Sequence, residues 1–499
     1  MLGFTGHPLV DVGLATIAAF AGKRDPSALT EADLDLVADY MEKNYTVDPL
    51  KSFLTVAFPN SGFTQPAYDK QPEKRHAYAQ AVLRAYRQVT PTSDESCVFT
   101  GKPAVQVSLD VKGELTPGRA FRQHVPLLTA EGVINFHPYG DAGLPVSGEA
   151  LLALQAFPLG CAKVAGRLLA VHANDPAVTL KFARRFLQHN RKAIQAAQLA
   201  GVKRMPEYPR RPGTLIVEIL LELAEEQEEA VSGAVSISAY HLTNSGQGAD
   251  LQIYHLPLEI GTFLQAAMSV TYRRAWKAVC ARGWELSPSK RSDESETFVP
   301  RYNVLFEDLF GLPAEAGRFI RRYFLRVPTR QVRPGDPRAT YSIREDVALI
   351  SWDLTELFLR EVVHMNQNRI QEIRKLGDAL AEYVSSEDDR RFFDGFLMAR
   401  SYHNLRAALL RVSVARIRRG QAPLVAFDPF IAIFEQGEDL PYSDWRLARD
   451  LVLIRMIERL YQMGWLQKHA EELPVPEAIE DQTDTQGESS EEGGQPWLS

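Results

Sequence analysis

The sequence feature that constrains the fold most is a stretch rich in proline, threonine and arginine, RVPTRQVRPGDPRATYS, at residues 326–342. Proline interrupts helices and sheet interiors, so this stretch is expected to be a linker. Residues 1–325 mix helical and strand patterns, whereas residues 343–470 show helical periodicity almost throughout. The sequence therefore predicts an α+β protein, with a mixed α/β body followed by an all-α C-terminal helical bundle. Breaks between the helices of the bundle are expected near residues 364, 386, 420–425 and 437–442.

Within the body, short patterns predict individual elements. Thr30 followed by Asp33 is close to a capping box and marks the start of a helix. Helices are predicted at residues 9–21, 30–44, 71–88 and 175–200. Strands are predicted at residues 52–59, 166–173, 213–221, 233–242 and 250–255.

The last segment, residues 471–499, is strongly acidic. It holds nine Asp and Glu residues and no Lys or Arg, so a formal net charge of −7 for the chain leaves −7 + 9 = +2 for the rest. The segment is rich in Gly, Pro and Ser and cannot bury enough apolar surface to offset the entropy lost on ordering. We expect a disordered acidic tail attached to a nearly neutral folded part.

Composition and motifs narrow the class of protein. No apolar run approaches the ~20 residues of a membrane span, and no basic leader with a cleavage site opens the chain. Three cysteines in 499 residues exclude a disulfide framework and favour a cytoplasmic location. The chain lacks the phosphate-binding loop, H-E-x-x-H, G-x-S-x-G and dinucleotide motifs. We therefore expect no cofactor, but catalytic groups can converge from distant positions, so the missing motifs do not exclude an enzyme.

Two cysteines stand where zinc knuckles of the form C-x-x-C would begin. Cys97 is followed by Thr100 and Cys161 by Val164, so each second ligand position lacks a thiol. A structural zinc site needs four thiolate or imidazole ligands. The residues alone favour buried, inert cysteines, and a lost zinc site is the alternative.

Five stretches of the body, taken in order, carry a resemblance to a known family. They are TGHPLVDVGLATIAAF, FPNSGFTQPAYDK, CVFTGKPA, FPLGCAKVAGRLLAVHAND and YHLTNSGQGADLQIYHLP. Together they resemble the C-x-x-C/C-x-x-C family of large subunits of type I-B CRISPR Cascade complexes, over roughly residues 5–260. The helical C-terminal part fits the family's architecture more loosely. In that family the two knuckles hold zinc, so Cys97 and Cys161 are interpreted as remnants of a site whose role packing has taken over, and no metal is expected.

The resemblance implies a subunit without catalysis in an RNA-guided complex. Such a subunit reads a short flanking motif in duplex DNA, assists R-loop formation and contacts the displaced strand, while the guide RNA reads the remaining sequence. The implied partners are guide RNA, target DNA, the backbone and other Cascade subunits, and a recruited helicase-nuclease or transposition protein; no membrane is implied. The alternatives are a cytoplasmic enzyme whose active site is built from scattered residues, or a scaffold that binds proteins only.

Two polar loops offer the side chains that a duplex reader needs, namely amides and hydroxyls near cations. Ordinary turn chemistry is the alternative for both loops. The candidates for contact with the flanking motif are Asn60, Ser61, Thr64 and Gln65 in the first loop, and Asn244, Ser245 and Gln247 in the second. The candidates for phosphate or RNA contact nearby are Lys70, Lys74, Arg119, Arg122 and His124.

The helical bundle holds a second candidate surface. Residues 395–427 contain six arginines and no acid. On a continuous helix Arg400, Arg411 and Arg418 fall within about 20° of one line, and the apolar residues Leu405, Leu409 and Val412 lie on a distinct face. This row is predicted to contact the phosphates of a nucleic acid strand. A solvated face with salt bridges to other helices is the alternative.

Met365 is a candidate internal translation start. It lies between two helical patterns, and a chain begun there would have 499 − 365 + 1 = 135 residues. The complexes that this protein resembles commonly obtain their small subunit in this way. Residues 360–362, Arg-Glu-Val, can be encoded with the purine-rich element GGGAGG a short distance upstream of the ATG.

We predict that the expressed complex contains several copies of this short product. A gel and a mass spectrum should show a band of about 15 kDa, scaled from 55.9 kDa for the 499 residues. The band should disappear when codon 365 is changed to one that cannot initiate. A complete complex without the band would contradict the prediction.

Overall fold

The computed structural model describes most of the chain and divides it into two compact units. Unit 1 is Met1–Thr262 and unit 2 is Phe263–Ser499. Unit 1 is mixed and unit 2 is mainly helical, which confirms the predicted α+β class. No described helix is long and apolar enough to cross a membrane. The described residues are 3–88, 95–106, 109, 118–128, 143–226, 235–244, 249–288, 298–326, 347–436 and 440–469.

Residues 263–325 group with the second unit, together with the helices that follow. The predicted linker lies outside the described residues except for its first position, and the acidic segment lies outside them entirely. The predicted boundary at 326–342 therefore stays a prediction.

Unit 1 combines helices with two antiparallel sheets. Strands β1 and β2 pair with each other, and β3 to β6 form a four-stranded sheet in spatial order β3-β4-β5-β6. The helices are α1 (Pro8–Phe20), α2 (Glu31–Asn44), α3 (Leu50–Leu54), α4 (Pro72–Leu83), α5 (Gly148–Ala156), α6 (Pro176–Leu199), α7 (Pro212–Glu226) and α8 (Leu258–Ala267), which continues into unit 2. The strands are β1 (Arg119–Ala120), β2 (Leu144–Pro145), β3 (Ala162–Val164), β4 (Arg167–Ala173), β5 (Ile237–Thr243) and β6 (Asp250–Leu256).

Helix α1 lies at the centre of unit 1. Residues 9–18 are all buried, and the helix contacts α5, α6 and β4. A helix that is apolar on nearly every side is stable only inside a core. At Gly13 a Cβ atom would lie 2.0 Å from the carbonyl oxygen of Ala153 in α5, so only glycine permits this close approach.

Several local predictions in unit 1 are confirmed. The Thr30 hydroxyl accepts a hydrogen bond from the Asp33 N–H at 3.3 Å, and the Asp33 carboxylate accepts one from the Thr30 N–H at 2.9 Å. This reciprocal pair is the capping box that starts α2. Helix α6 and strands β4, β5 and β6 also lie close to their predicted positions.

Two strand predictions were wrong. Residues 52–59 form the end of α3 and a series of turns, and residues 213–221 lie within α7. Short apolar runs rich in Val, Ile and Leu do not distinguish a strand from a buried helix. Pro212 at the first position of α7 indicates a helix start, and this signal outweighs the β-branched residues that follow it.

Unit 2 consists mainly of helices, with one antiparallel pair of strands. Its further helices are α9 (Arg273–Ala281), α10 (Val304–Asp308), α11 (Ala316–Phe319), α12 (Trp352–Glu361), α13 (Gln367–Glu387), α14 (Arg390–Leu397), α15 (Tyr402–Arg418), α16 (Phe427–Phe434), α17 (Trp445–Gln462) and α18 (Trp465–His469). Its strands are β7 (Trp284–Pro288) and β8 (Phe298–Asn303). The predicted helix breaks match the gaps that follow α12, α13, α15 and α16.

Two features hold unit 2 together. Helices α13 and α17 pack along each other, and Gly377 leaves room for the side chain of Arg455. An aromatic cluster adds a second contact region, in which Phe319 stacks on Phe358 with ring centroids 5.2 Å apart. Phe263 meets Phe358 edge to face at the same distance. Aromatic pairs of this kind contribute about 0.5–1.5 kcal/mol beyond their buried area.

We predict that Gly13→Ala destabilises unit 1 because the new methyl group overlaps the carbonyl of Ala153. Overpacking of this type costs about 1–3 kcal/mol, which lowers the unfolding midpoint by about 2–4 °C per kcal/mol for a unit of this size. Gly3→Ala is the control, since no atom lies within 4 Å of a Cβ there. Calorimetry that gives equal midpoints for the two variants would contradict the close approach.

Candidate nucleic-acid interface

The first predicted reading loop carries a pair of amides. Asn60 has a left-handed backbone with φ 63°, which asparagine tolerates better than most residues. Its Oδ1 accepts a hydrogen bond from Gln65 Nε2 at 3.1 Å. Asn60 is exposed and Gln65 is half-buried. Amides held in this way offer donors and acceptors of the kind that read base edges.

The two hydroxyl residues of the same loop are buried. The Ser61 hydroxyl accepts a hydrogen bond from the Phe63 N–H at 3.3 Å and lies 3.4 Å from the Tyr78 hydroxyl. The Thr64 hydroxyl donates to the Ser61 carbonyl oxygen at 3.2 Å. These hydroxyls stabilise the turn and do not face solvent. The predicted reading set of this loop therefore narrows to Asn60 and Gln65.

Asn244, which opens the second loop, contacts the turns that lead into the first loop. The Asn244 N–H donates to the Val56 carbonyl oxygen at 2.7 Å, and Asn244 Nδ2 lies 3.5 Å from the Ala57 carbonyl oxygen. Asn244 is buried. Its side chain packs against the segment that leads into the first loop and is not presented to a ligand. Ser245 and Gln247 lie outside the described residues. The structure thus brings the start of the second loop against the segment that leads into the first, and the contacting residues Ala57 and Asn244 are 187 residues apart in sequence.

Cationic residues follow the amide pair in sequence, and Arg75 Nη2 lies 3.4 Å from the Gln65 carbonyl oxygen. Asp69 accepts hydrogen bonds from Lys51 Nζ at 2.7 Å and from Arg75 Nη2 at 2.6 Å, and these bonds lower the pKa of its carboxyl group. Lys70 and Lys74 are exposed and form no ion pair with a described residue. Asp69 is therefore neutralised, Glu73 is an exposed carboxylate beside Lys74, and the two lysines are exposed to solvent, where phosphates can reach them.

Two of the remaining cationic candidates of unit 1, Arg119 and His124, are buried and make contacts that stabilise the fold. Arg119 is buried and forms an ion pair with Glu95. His124 is fully buried, and its Nε2 lies 2.7 Å from the Leu109 carbonyl oxygen. Arg122 is half-buried. In this conformation Arg119 and His124 do not face a ligand, and Arg122 is the member of this group with the most access to solvent.

Residues 97–100, where the first C-x-x-C knuckle would lie, form a hydrogen-bonded turn that lacks the second cysteine. The Cys97 carbonyl oxygen accepts a hydrogen bond from the Gly101 N–H at 2.9 Å, and its sulfur accepts one from the Phe99 N–H at 3.4 Å. Thr100 stands in the second ligand position, and its hydroxyl lies 3.1 Å from the hydroxyl of Ser147, which caps α5. A hydrogen bond to a helix cap occupies the position where a thiolate would bind metal.

The second half-knuckle is a core element. The Cys161 thiol donates to the Phe157 carbonyl oxygen at 3.1 Å, and burial raises the pKa of that thiol well above its usual value. Val164 in the second ligand position is a buried residue of β3, and Asn190 Nδ2 donates to the Cys161 carbonyl oxygen at 2.8 Å. Burial disfavours the thiolate that zinc requires. Among the described residues no group of three His, Cys, Asp or Glu side chains is arranged to hold a metal ion.

The arginine row of the bundle is shorter than the sequence predicts. Ser401 caps α15 with its hydroxyl, so Arg400 precedes the helix, and the assumption of one continuous helix was wrong at that residue. Arg411 and Arg418 both lie on α15 and are exposed. They form no ion pair with any residue of the described ranges, unlike Arg419, which pairs with Glu387 at 2.6 Å.

The structure has a buried polar cluster at the start of α1 that the sequence analysis did not predict. The Asp11 carboxylate accepts hydrogen bonds from the Thr5 N–H at 2.6 Å and the Gly6 N–H at 2.9 Å, and His172 Nε2 lies 3.1 Å away. Burial opposes ionisation, but the hydrogen bonds outweigh it and lower the pKa of Asp11. The cluster ties the TGHP turn to β4. Only the acid inside the apolar run signals it in the sequence.

The described residues thus place Asn244, at the start of the second loop, against the segment that leads into the first, and they place the arginines of α15 in unit 2. No protein-family model matches the sequence, and no curated protein or solved structure matches it significantly. Function is therefore inferred from the motifs and from the geometry of these two surfaces.

We predict that the purified protein contains no stoichiometric zinc. Two of the four expected thiolates are replaced, and the Cys161 thiol is buried in its protonated form. Elemental analysis of the protein expressed with added zinc tests this. One zinc per chain that survives dialysis against a chelator would contradict the prediction and indicate other ligands.

We predict that charge reversal at Arg400, Arg411 and Arg418 weakens binding to single-stranded nucleic acid without changing the preferred flanking motif. Each phosphate contact on a single strand adds about 0.7 to the slope of log K against log salt, so losing three flattens it by roughly 2.

The control is a triple reversal with the same change in net charge, at three exposed arginines elsewhere on the chain. These are Arg24, Arg204 and Arg274. Equal salt slopes for the two triple variants would show that Arg400 and the two α15 arginines make no specific contact.

Proposed function

We propose that this protein is the large subunit of an RNA-guided type I-B Cascade complex, which reads the flanking motif in duplex DNA and assists R-loop formation. The observation that carries the proposal is the contact between Asn244, at the start of the second polar loop, and the segment that leads into the first. Asn244 contacts this segment at the Val56 carbonyl oxygen, 2.7 Å away, and the exposed amide of Asn60 lies four residues further along the chain.

The chemistry of this surface suits a duplex reader. Base edges are recognised by amide side chains, while nearby cations fix the protein on the phosphates. Asn60 and Gln65 form the amide pair, and Lys70 and Lys74 supply the exposed charges. The left-handed backbone at Asn60 places this residue at a turn that a groove can approach.

The segments that carry the family resemblance also interlock in the fold. The TG-x-P-x-VD opening supplies Thr5 and Asp11, and the segment that ends in HAND supplies His172. The carboxylate joins the two at 3.1 Å. Gly160 of the same second segment lies against the Thr16 side chain of the first. The segments that carry the resemblance therefore pack together in this chain, which supports treating them as one structural unit.

In unit 2 the exposed pair Arg411 and Arg418 provides a row for a strand backbone. The two residues are two helical turns apart along α15, a rise of about 10 Å, on one side of the helix. Phosphates spaced along a flexible single strand can match this distance. We assign to this row the contact with the displaced strand, which needs charge but no base reading.

We predict that Asn60→Ala and Gln65→Ala each weaken target binding by about 1–3 kcal/mol and relax the flanking-motif preference. The measurement uses the assembled complex on duplexes that carry a library of flanking sequences. Gln198→Ala, an exposed amide on α6, is the matched control and should leave both affinity and motif preference unchanged. Unchanged preference in both loop variants would show that the loop is an ordinary turn and would refute the assignment of reading to it.

A further inference from the structure

Helix α15 presents a second apolar face to solvent, in addition to the face that enters the core. Leu410, Val414 and Ile417 are 55%, 45% and 55% exposed. Their spacing of four and three residues places them in one stripe along the helix. Single exposed aliphatic residues are common, but an aligned stripe of three on one helix indicates a binding surface.

Two arginines border this stripe. Arg411 and Arg418 follow Leu410 and Ile417 in sequence, and their spacing of seven residues puts them within about 20° of each other. We call these four residues and Val414 the outer face of α15. The face combines apolar and cationic groups over about 12 Å of helix. A ligand that matches it carries both carboxylates and large apolar side chains.

The described chain ends close to this face. His469 Nε2 lies 3.0 Å from the Asp388 carboxylate, and the neighbouring Glu387 pairs with Arg419 at 2.6 Å. Arg419 follows directly after Arg418. The residues that continue beyond His469 therefore begin near the C-terminal end of α15.

Those residues have the composition that the outer face requires. Residues 471–499 hold nine carboxylates and no cation, and they include Trp497 and Leu498. Trp497 lies 28 residues beyond His469, and a flexible chain of that length spans about 30 Å on average. Tethering at such a distance gives an effective concentration in the millimolar range, so even a weak contact within one chain is populated.

We propose that the acidic segment, residues 471–499, docks on the outer face of α15 of the same chain. Trp497 and Leu498 cover the apolar stripe, and the carboxylates pair with Arg411 and Arg418. Ion pairs in water contribute little and are screened by salt, so the apolar contact and the charges are both needed. The contact does not depend on nucleic acid, but a docked segment occupies the same arginines that would hold a strand.

The test measures how fast a thiol on the outer face reacts in the full-length protein. Val414→Cys places that thiol in the stripe, and the native cysteines are buried and react slowly. Two changes in the acidic segment, Trp497→Ser with Leu498→Ser, should increase the maleimide labelling rate at position 414 at least about fivefold. Replacing Glu488, Glu491 and Glu492 by Gln, or raising the salt concentration, should also increase it.

The control thiol is Val270→Cys, which lies in unit 2 and is 89% exposed. Its labelling rate should not respond to the changes in the acidic segment. A rate at position 414 that is the same with the native and the altered segment overturns the proposal. So does an equal acceleration at positions 414 and 270, because it would reflect a general change in the protein.

Single-stranded DNA added to the same samples separates this inference from the proposed function. If the altered segment speeds labelling at position 414 but DNA does not slow it, the docking stands and the strand contact on α15 fails. If DNA slows labelling but the altered segment has no effect, the face belongs to nucleic acid and the docking fails. Slowing by DNA that is stronger with the altered segment supports both, because it shows competition for one face.

Discussion

Unit 1 depends on the burial of helix α1. Every residue from 9 to 18 is buried, so the helices and the sheet of the unit meet around it. Its close approach to α5 requires a glycine at position 13, and its start is fixed by the Asp11 carboxylate. A buried carboxylate is tolerated only when hydrogen bonds replace its hydration, and here two backbone amides, a hydroxyl and an imidazole do so.

Around the candidate reading loops, the residues that hold the backbone differ from the residues that are exposed to a ligand. The turn hydrogen bonds occupy Ser61 and Thr64, and a hydrogen bond to Val56 holds Asn244. The side chains that remain exposed are those of Asn60, Lys70 and Lys74. A site that reads duplex DNA needs this division, because the reading groups must be held at a fixed position by groups that do not themselves reach the ligand.

Local signals in the sequence predicted much of the fold. The cap at Thr30 and the long periodic helix α6 depend on nearby residues, and the structure has both. The sequence predicts strands where the structure has α3 and α7, because a short apolar run shows neither helical nor strand periodicity clearly. The contact between Asn244 and Val56 could not be predicted from the spacing of residues along the sequence, because the tertiary fold brings these two residues together. For the same reason the burial of Ser61 was not visible, because a turn serine has the same sequence context whether it is exposed or buried.

Helix α12 has a consequence for a chain that starts at Met365. In the full chain it packs on α13 and α17, and the Trp352 N–H donates to the Glu458 carboxylate at 2.9 Å. Helix α12 therefore covers part of α13 and α17, while its buried Phe358 packs on Phe263, Phe319 and Phe324. A short product lacks this cover, so the vacated surface on α13 and α17 would meet water unless another molecule filled it. Copies of the short product would then be driven to line up side by side, with the missing helix replaced by a neighbour.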